Sequence, residues 1–173
     1  MQRLYWVTVA LCAAVYAAML AWSLPHLHAL AGGLAIFDER ISGYTPAQAR
    51  ALLSALGGEG RAFYLGAQQW LDTAFPGLLA LVLILSYRRL YARGPALVLA
   101  AVALIYAAFD YGENALVARL LQAGDEQVNA QLVEATSRLT RAKYAAVAIA
   151  LVALVPGLMR RWRKGANRLA GRR

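Results

Sequence analysis

Four stretches of the chain stay apolar for the length of a membrane-crossing helix: about 4–24, 70–87, 95–117 and 139–159. Each comes near the roughly 20 residues that a helix rising about 1.5 Å per residue needs to cross about 30 Å of hydrocarbon. Lipid offers no partners for the open backbone groups of a strand edge, so the runs are expected to be helices. The pattern predicts an all-α fold, a four-helix transmembrane bundle forming a single membrane domain over residues 1–173. The first run follows Arg3 and ends at Ala21-Trp22-Ser23, which also suits a cleaved signal peptide. It is longer than the roughly 7–15 apolar residues of a signal core, so it is expected to be kept as a span.

The first external segment, 25–69, carries a pattern of its own. Thr45-Pro46-Ala47-Gln48 reads as a helix start, with Thr as N-cap, Pro at the first helical position and Gln three residues after the cap. Ala49, Leu52, Leu53 and Leu56 then form one apolar stripe, and Gly57-Gly58 ends it. A short amphipathic helix is predicted here, lying on the membrane or capping the bundle. Residues 61–69 then lead as helix into the second span. In the second external segment, 118–138, Ala123-Gly124-Asp125 is a helix break, and 127–138 leads back into the fourth span.

Composition supports lipid as the solvent: 61% of residues are hydrophobic and 16% charged, against about 25% charged in soluble domains. Charge placement then sets the orientation. Arg3, Arg88, Arg89, Arg93, Arg160, Arg161, Arg163, Lys164, Arg168, Arg172 and Arg173 share one side with no acid. The other side holds seven bases and all nine acids. The basic-only side, with both termini and the 160–173 tail, is expected to be cytoplasmic. The net charge of +9 is therefore mostly a topology signal plus attraction to anionic headgroups, and nucleic acid is not expected as a partner. Sixteen of the eighteen bases are Arg. This Arg-, Ala- and Leu-rich usage suggests a GC-rich bacterial genome, and so a bacterial inner (plasma) membrane.

The chemistry concentrates in the third span, at Phe109-Asp110-Tyr111-Gly112-Glu113-Asn114. Asp110, Glu113 and Asn114 share a helix face at i, i+3 and i+4, and Tyr106 extends it one turn deeper. Asp72 lies near the outer end of the second span, one turn before Pro76-Gly77, where a bend is expected. Thr136, Thr140 and Lys143 share a face of the fourth span, and Arg61 and Tyr64 approach from the external lead-in. Asp110, Glu113 and Asp72 are the candidate catalytic residues; Arg61, Tyr64, Asn114 and Lys143 are the candidate ligand-binding ones. Charged groups inside a span are costly when turned to lipid, so Asp110 and Glu113 should face the bundle interior. They can serve there as a register lock between helices or as an outward-facing pocket.

Other features carry less. His26 and His28 read as interfacial histidines rather than metal ligands, since an H-x-H pair points its rings to different helix faces. Trp6, Trp22, Trp70 and Trp162 fall near span ends and read as aromatic-belt anchors. Cys12 is the single cysteine, so neither an intrachain disulfide nor a cysteine metal cluster forms. No nucleotide, protease or hydrolase motif is present, and the sequence names no metal and no cofactor.

The D-x-x-E-N element of the third span, the Gly-Tyr-Thr-Pro start and the Gly-Glu-Gly-Arg-Ala stretch before the second span resemble small uncharacterised bacterial four-span integral membrane proteins. The resemblance covers most of the chain and implies no particular activity. Three functions fit the residues. The first is a non-catalytic bundle that assembles with itself, as a homo-oligomer, or with a membrane-protein partner in the lipid bilayer. The second is an enzyme acting on a lipid or isoprenoid phosphate, with carboxylates as acid and base and Arg61 and Lys143 on phosphate. The third is a proton- or cation-coupled transport subunit. It ranks last because the inner halves of spans two, three and four carry no acid.

Overall fold

A computed structural model describes residues 2–170, with side chains through Arg163. Five helices carry the chain: α1 (Gln2–Leu30), α2 (Pro46–Leu90), α3 (Arg93–Ala123), α4 (Ala130–Val152) and α5 (Leu154–Ala170). The first three, and α4 taken together with the start of α5, are long and apolar enough to cross a membrane. The described residues form no strand. The all-α, four-span architecture is as the apolar runs predict.

The helices extend beyond the runs. At 31 residues, α3 is about 46 Å long by its rise, well over the hydrocarbon thickness of about 30 Å. The surplus builds an outer core. Leu27 and Ala31 from α1, Ile36 and Phe37 from the loop, and Ala49, Leu52, Leu53 and Leu56 from the start of α2 all pack there. Tyr44 of the loop, Tyr64 of α2, Val117, Leu120 and Leu121 of α3 and Val133 of α4 complete it. The Thr45 helix start forms as its sequence dictates. The Thr45 hydroxyl accepts from the Gln48 N–H, and the Gln48 side chain accepts from the Thr45 N–H. Its stripe therefore caps the bundle rather than lying on lipid. The helix does not end at Gly57-Gly58; it breaks at Gly57, at φ 57°, ψ −160°, and resumes at once toward the second span. The second external turn is shorter in helix than expected. Asn129 caps α4 by accepting from the Gln131 and Leu132 N–H groups, so the helix begins at Ala130, not near 127.

A second, inner core joins α2, α3 and α4 through Ala80, Leu83, Tyr87, Ala96, Ala103, Tyr106, Ala107, Ala146 and Ala150. Its alanines let the helix backbones come close, the packing that lipid-embedded helices favour. The fourth run, read as one helix, is interrupted at Ala153, three residues before Pro156, which has no N–H to give. Tyrosines splice the break: Tyr87 donates to the Ala150 carbonyl at 2.6 Å and Tyr91 to that of Ala153. Around the bundle α1 packs on α2, α2 on α3 and α3 on α4, but α1 and α4 do not pack along each other. That gap decides where the cavity opens.

Candidate functional site

Between the two apolar cores lies one polar layer. On α3 it is Asp110, Glu113 and Asn114, with Tyr106 and Ala107 of the inner core on one side and Val117 of the outer core on the other. On α4 it is Thr136, Thr140 and Lys143, between Val133 and Ala146. On α2 it is Gln68 and Asp72, between Tyr64 and Ala80. All these side chains are buried, Gln68, Glu113, Thr136 and Thr140 completely. On the far side of α3, Leu104, Ala108 and Ala115 are exposed, as the helical spacing requires.

Lys143 is the hub. Its ammonium is paired with Glu113, with Asp38 at 3.2 Å and with Asp110 at 3.5 Å. Thr140 donates to the other oxygen of Glu113 at 2.5 Å. Asp38, from the 3₁₀ turn Phe37–Glu39, also accepts from the Tyr64 hydroxyl, and Tyr144 donates to its backbone carbonyl at 2.6 Å. Tyr44, beside Asp38 and Glu113 but outside the spans, has its phenol pushed well above the usual range by burial first and by those two carboxylates second. It stays neutral in the layer.

On α2, the Gln68 amide donates to Asp72 at 2.9 Å. The third-span motif serves this helix too. Pro76 has no N–H for the Asp72 carbonyl one turn back, and the Asn114 amide donates to that carbonyl at 2.9 Å instead. Tyr111 donates to the next carbonyl, Thr73, at 3.1 Å. A Cβ on Gly77 would come within 2.7 Å of the Tyr111 oxygen, so the bare glycine admits the ring. The helix thus runs through Pro76 unbroken from Gln69 to Leu90, and its departure from α geometry lies earlier, in a π turn over Tyr64–Gln68.

The candidates therefore divide. Asp110, Glu113, Asn114, Asp72, Tyr64 and Lys143 meet in the layer; Arg61 does not. Its Nε donates to the Gly57 carbonyl at 2.9 Å and its Nη1 reaches Asp125 at 3.9 Å, lying over Gly124. It ties the Gly57 break to the second external turn. Asp38, absent from the sequence candidates, takes the place expected of Arg61. His28 pairs with Glu39 at 2.6 Å and His26 meets the ring of Phe63 edge-on, so neither joins the layer. Among the described residues no three His, Cys, Asp or Glu side chains converge closely enough to hold a metal ion.

A cavity of about 500 Å³ adjoins the layer. Its polar end is Asp38, Glu39, Gln68, Asp72, Asp110 and Lys143; the remainder is largely apolar, with Leu24, Phe75, Leu79 and Val147. Its rim includes Tyr16 and Leu20 of α1 and Leu151 of α4, which are 48%, 50% and 47% exposed and flank the gap between these helices. Comparison with known proteins gives no match to a family model, a curated protein or a solved structure.

Proposed function

We propose that this multi-pass membrane protein is a binding protein for an amphiphile drawn from the bilayer, with its head in the polar layer and its tail along the apolar part of the cavity. The observation that carries this is the cavity itself: polar at one end, apolar along its length, and open between α1 and α4. Its volume falls within the roughly 300–1,000 Å³ of small-molecule sites. The lipid-phosphate enzyme is less well supported, because Arg61 lies elsewhere and Lys143 is already shared by three carboxylates. Transport is less well supported because the alanine-rich inner core closes the helices below Tyr106.

Both termini are assigned to the cytoplasm and the polar layer to the outer leaflet, on the distribution of Arg and Lys. A reporter fused after Arg173 should read cytoplasm and one inserted at Gly58 the outside; the opposite result at both would reverse the orientation. Binding is tested by native mass spectrometry of protein released from lipid nanodiscs. One retained amphiphile per chain is expected, lost when Leu79→Trp fills the cavity. A second reading, that the layer only locks helix register, rests on the neutralisation of Lys143. It prevails if wild-type protein carries no amphiphile and Leu79→Trp changes nothing.

A further inference from the structure

The head pocket is chemically one-sided. The layer brings four acids, Asp38, Asp72, Asp110 and Glu113, to one ammonium, and Lys143 pairs with three of them: Asp38 of the loop and Asp110 and Glu113 of α3. The ion pairs among the described residues include none to Asp72, whose side chain accepts only a neutral amide from Gln68. That amide is itself incomplete: Gln68 is fully buried and lines the cavity, and its Oε1 has no hydrogen-bond partner. A buried acceptor without a donor is an uncommon and costly arrangement. Beside it stands the Asp72 carboxyl, which makes no ion pair of its own, in a setting where lone charges are also costly. Both deficits are removed by the same kind of group, one that donates hydrogen bonds and carries positive charge.

We infer that the head of the bound amphiphile is an N–H-bearing cation, an ammonium or guanidinium, seated against Asp72 and Gln68 with Asp110 and Asp38 beyond. This rests on the amphiphile-binding reading. A compact metal ion is a poorer fit, since the acids do not converge on one point. An anionic head would meet carboxylates. A hydroxyl would satisfy Gln68 alone and leave Asp72 uncompensated.

The test uses four probes of equal chain length: dodecylamine, dodecyltrimethylammonium, dodecanol and monododecyl phosphate. Each is added below its micellar concentration to the full-length protein in a neutral detergent, and affinity is read from the shift in melting temperature. Dodecylamine should bind about tenfold or more tighter than dodecanol, the margin of a charge-assisted over a neutral hydrogen bond. Dodecyltrimethylammonium, charged but without N–H donors, should fall between them, and monododecyl phosphate should bind least. Gln68→Leu should weaken dodecylamine and dodecanol alike, since both donate to its Oε1, whereas Asp72→Asn should cost dodecylamine about tenfold while barely changing dodecanol. Gln68→Glu, which keeps an acceptor, should retain dodecylamine even if the leucine variant folds poorly. If dodecanol or the phosphate binds as tightly as the amine, the cationic head is refuted while amphiphile binding stands. If no probe binds and Leu79→Trp is silent, both fall.

Discussion

Replacing Lys143 by Met removes the base that three buried carboxylates share while keeping most of the apolar stem. The ammonium lies 3.2 Å from Asp38 and 3.5 Å from Asp110, closer still to Glu113, and its side chain is 8% exposed. At an effective dielectric of about 20, each contact carries about 5 kcal/mol of gross Coulomb attraction. Desolvation and repulsion among the carboxylates offset most of that sum. What the substitution exposes is the uncompensated remainder, about 3–5 kcal/mol for breaking a buried pair. In a chain of this size each kcal/mol moves the melting temperature by about 2–4 °C, so Lys143→Met should melt roughly 10 °C lower in detergent, followed by tryptophan fluorescence. Glu113→Gln added to Lys143→Met should recover part of the loss, because it removes one stranded charge. Alone, Glu113→Gln should destabilise. A Lys143→Met protein melting within 2 °C of wild type, or a double variant no better than the single, would show that the ion pairs do not hold α3, α4 and the Asp38 turn together.

Three further substitutions probe the supports of the layer. Asn114→Ala strands the Asp72 carbonyl and should cost about 1–3 kcal/mol; in a Pro76→Ala background, where a backbone N–H returns, denaturation should show the cost smaller by about 1 kcal/mol. Gly77→Ala drives a methyl into Tyr111 and should destabilise by about 1–3 kcal/mol, with Tyr111→Phe in the same chain relieving most of it in a double-mutant cycle. Thr45→Ala removes the cap of the outer helix and should cost about 1 kcal/mol, read as faster proteolysis around Gly57.

The spans were legible because lipid imposes a length and a polarity on any helix that crosses it, and the capping box because its hydrogen bonds are local. The shared face of Asp110, Glu113 and Asn114 was legible for the same reason: α3 is regular across it. Arg61 was misplaced because the π turn over Tyr64–Gln68 intervenes. One extra residue in a turn rotates the helix before it by about 100° relative to the helix after it, so Arg61 and Asp72 do not share the face that straight spacing gives them. Asp38 was missed because its neighbours, not its own helix, carry it inward. Ile36 and Phe37, both fully buried in the outer core, anchor the loop so that the next side chain lands on Lys143. An apolar pair directly before an acid, in a loop between two helices, was the available signal.

The layer does two jobs that oppose each other, and Asp72 separates them. Around Lys143 three acids, from α3 and the Asp38 turn, are ion-paired to the α4 ammonium, which suits a lock. On α2 an acid is left over in a nearly dry setting, which lowers the stability of the empty protein and is useful only if something binds there. Asp72→Asn keeps the size of the side chain, the oxygen that accepts from Gln68 and the backbone carbonyl held by Asn114. It removes the charge and replaces the other carboxylate oxygen by an amide N–H donor. If the charge serves binding, the empty variant should be more stable than wild type, by the order of a kcal/mol or more expected for a lone intramembrane carboxylate, and dodecylamine should stabilise it far less. Melting curves with and without dodecylamine give both quantities in one experiment. If Asp72 were instead a structural charge paired through the wider network, the empty variant would melt lower, as Lys143→Met does, and the division of the layer into a closed half and an open half would be wrong.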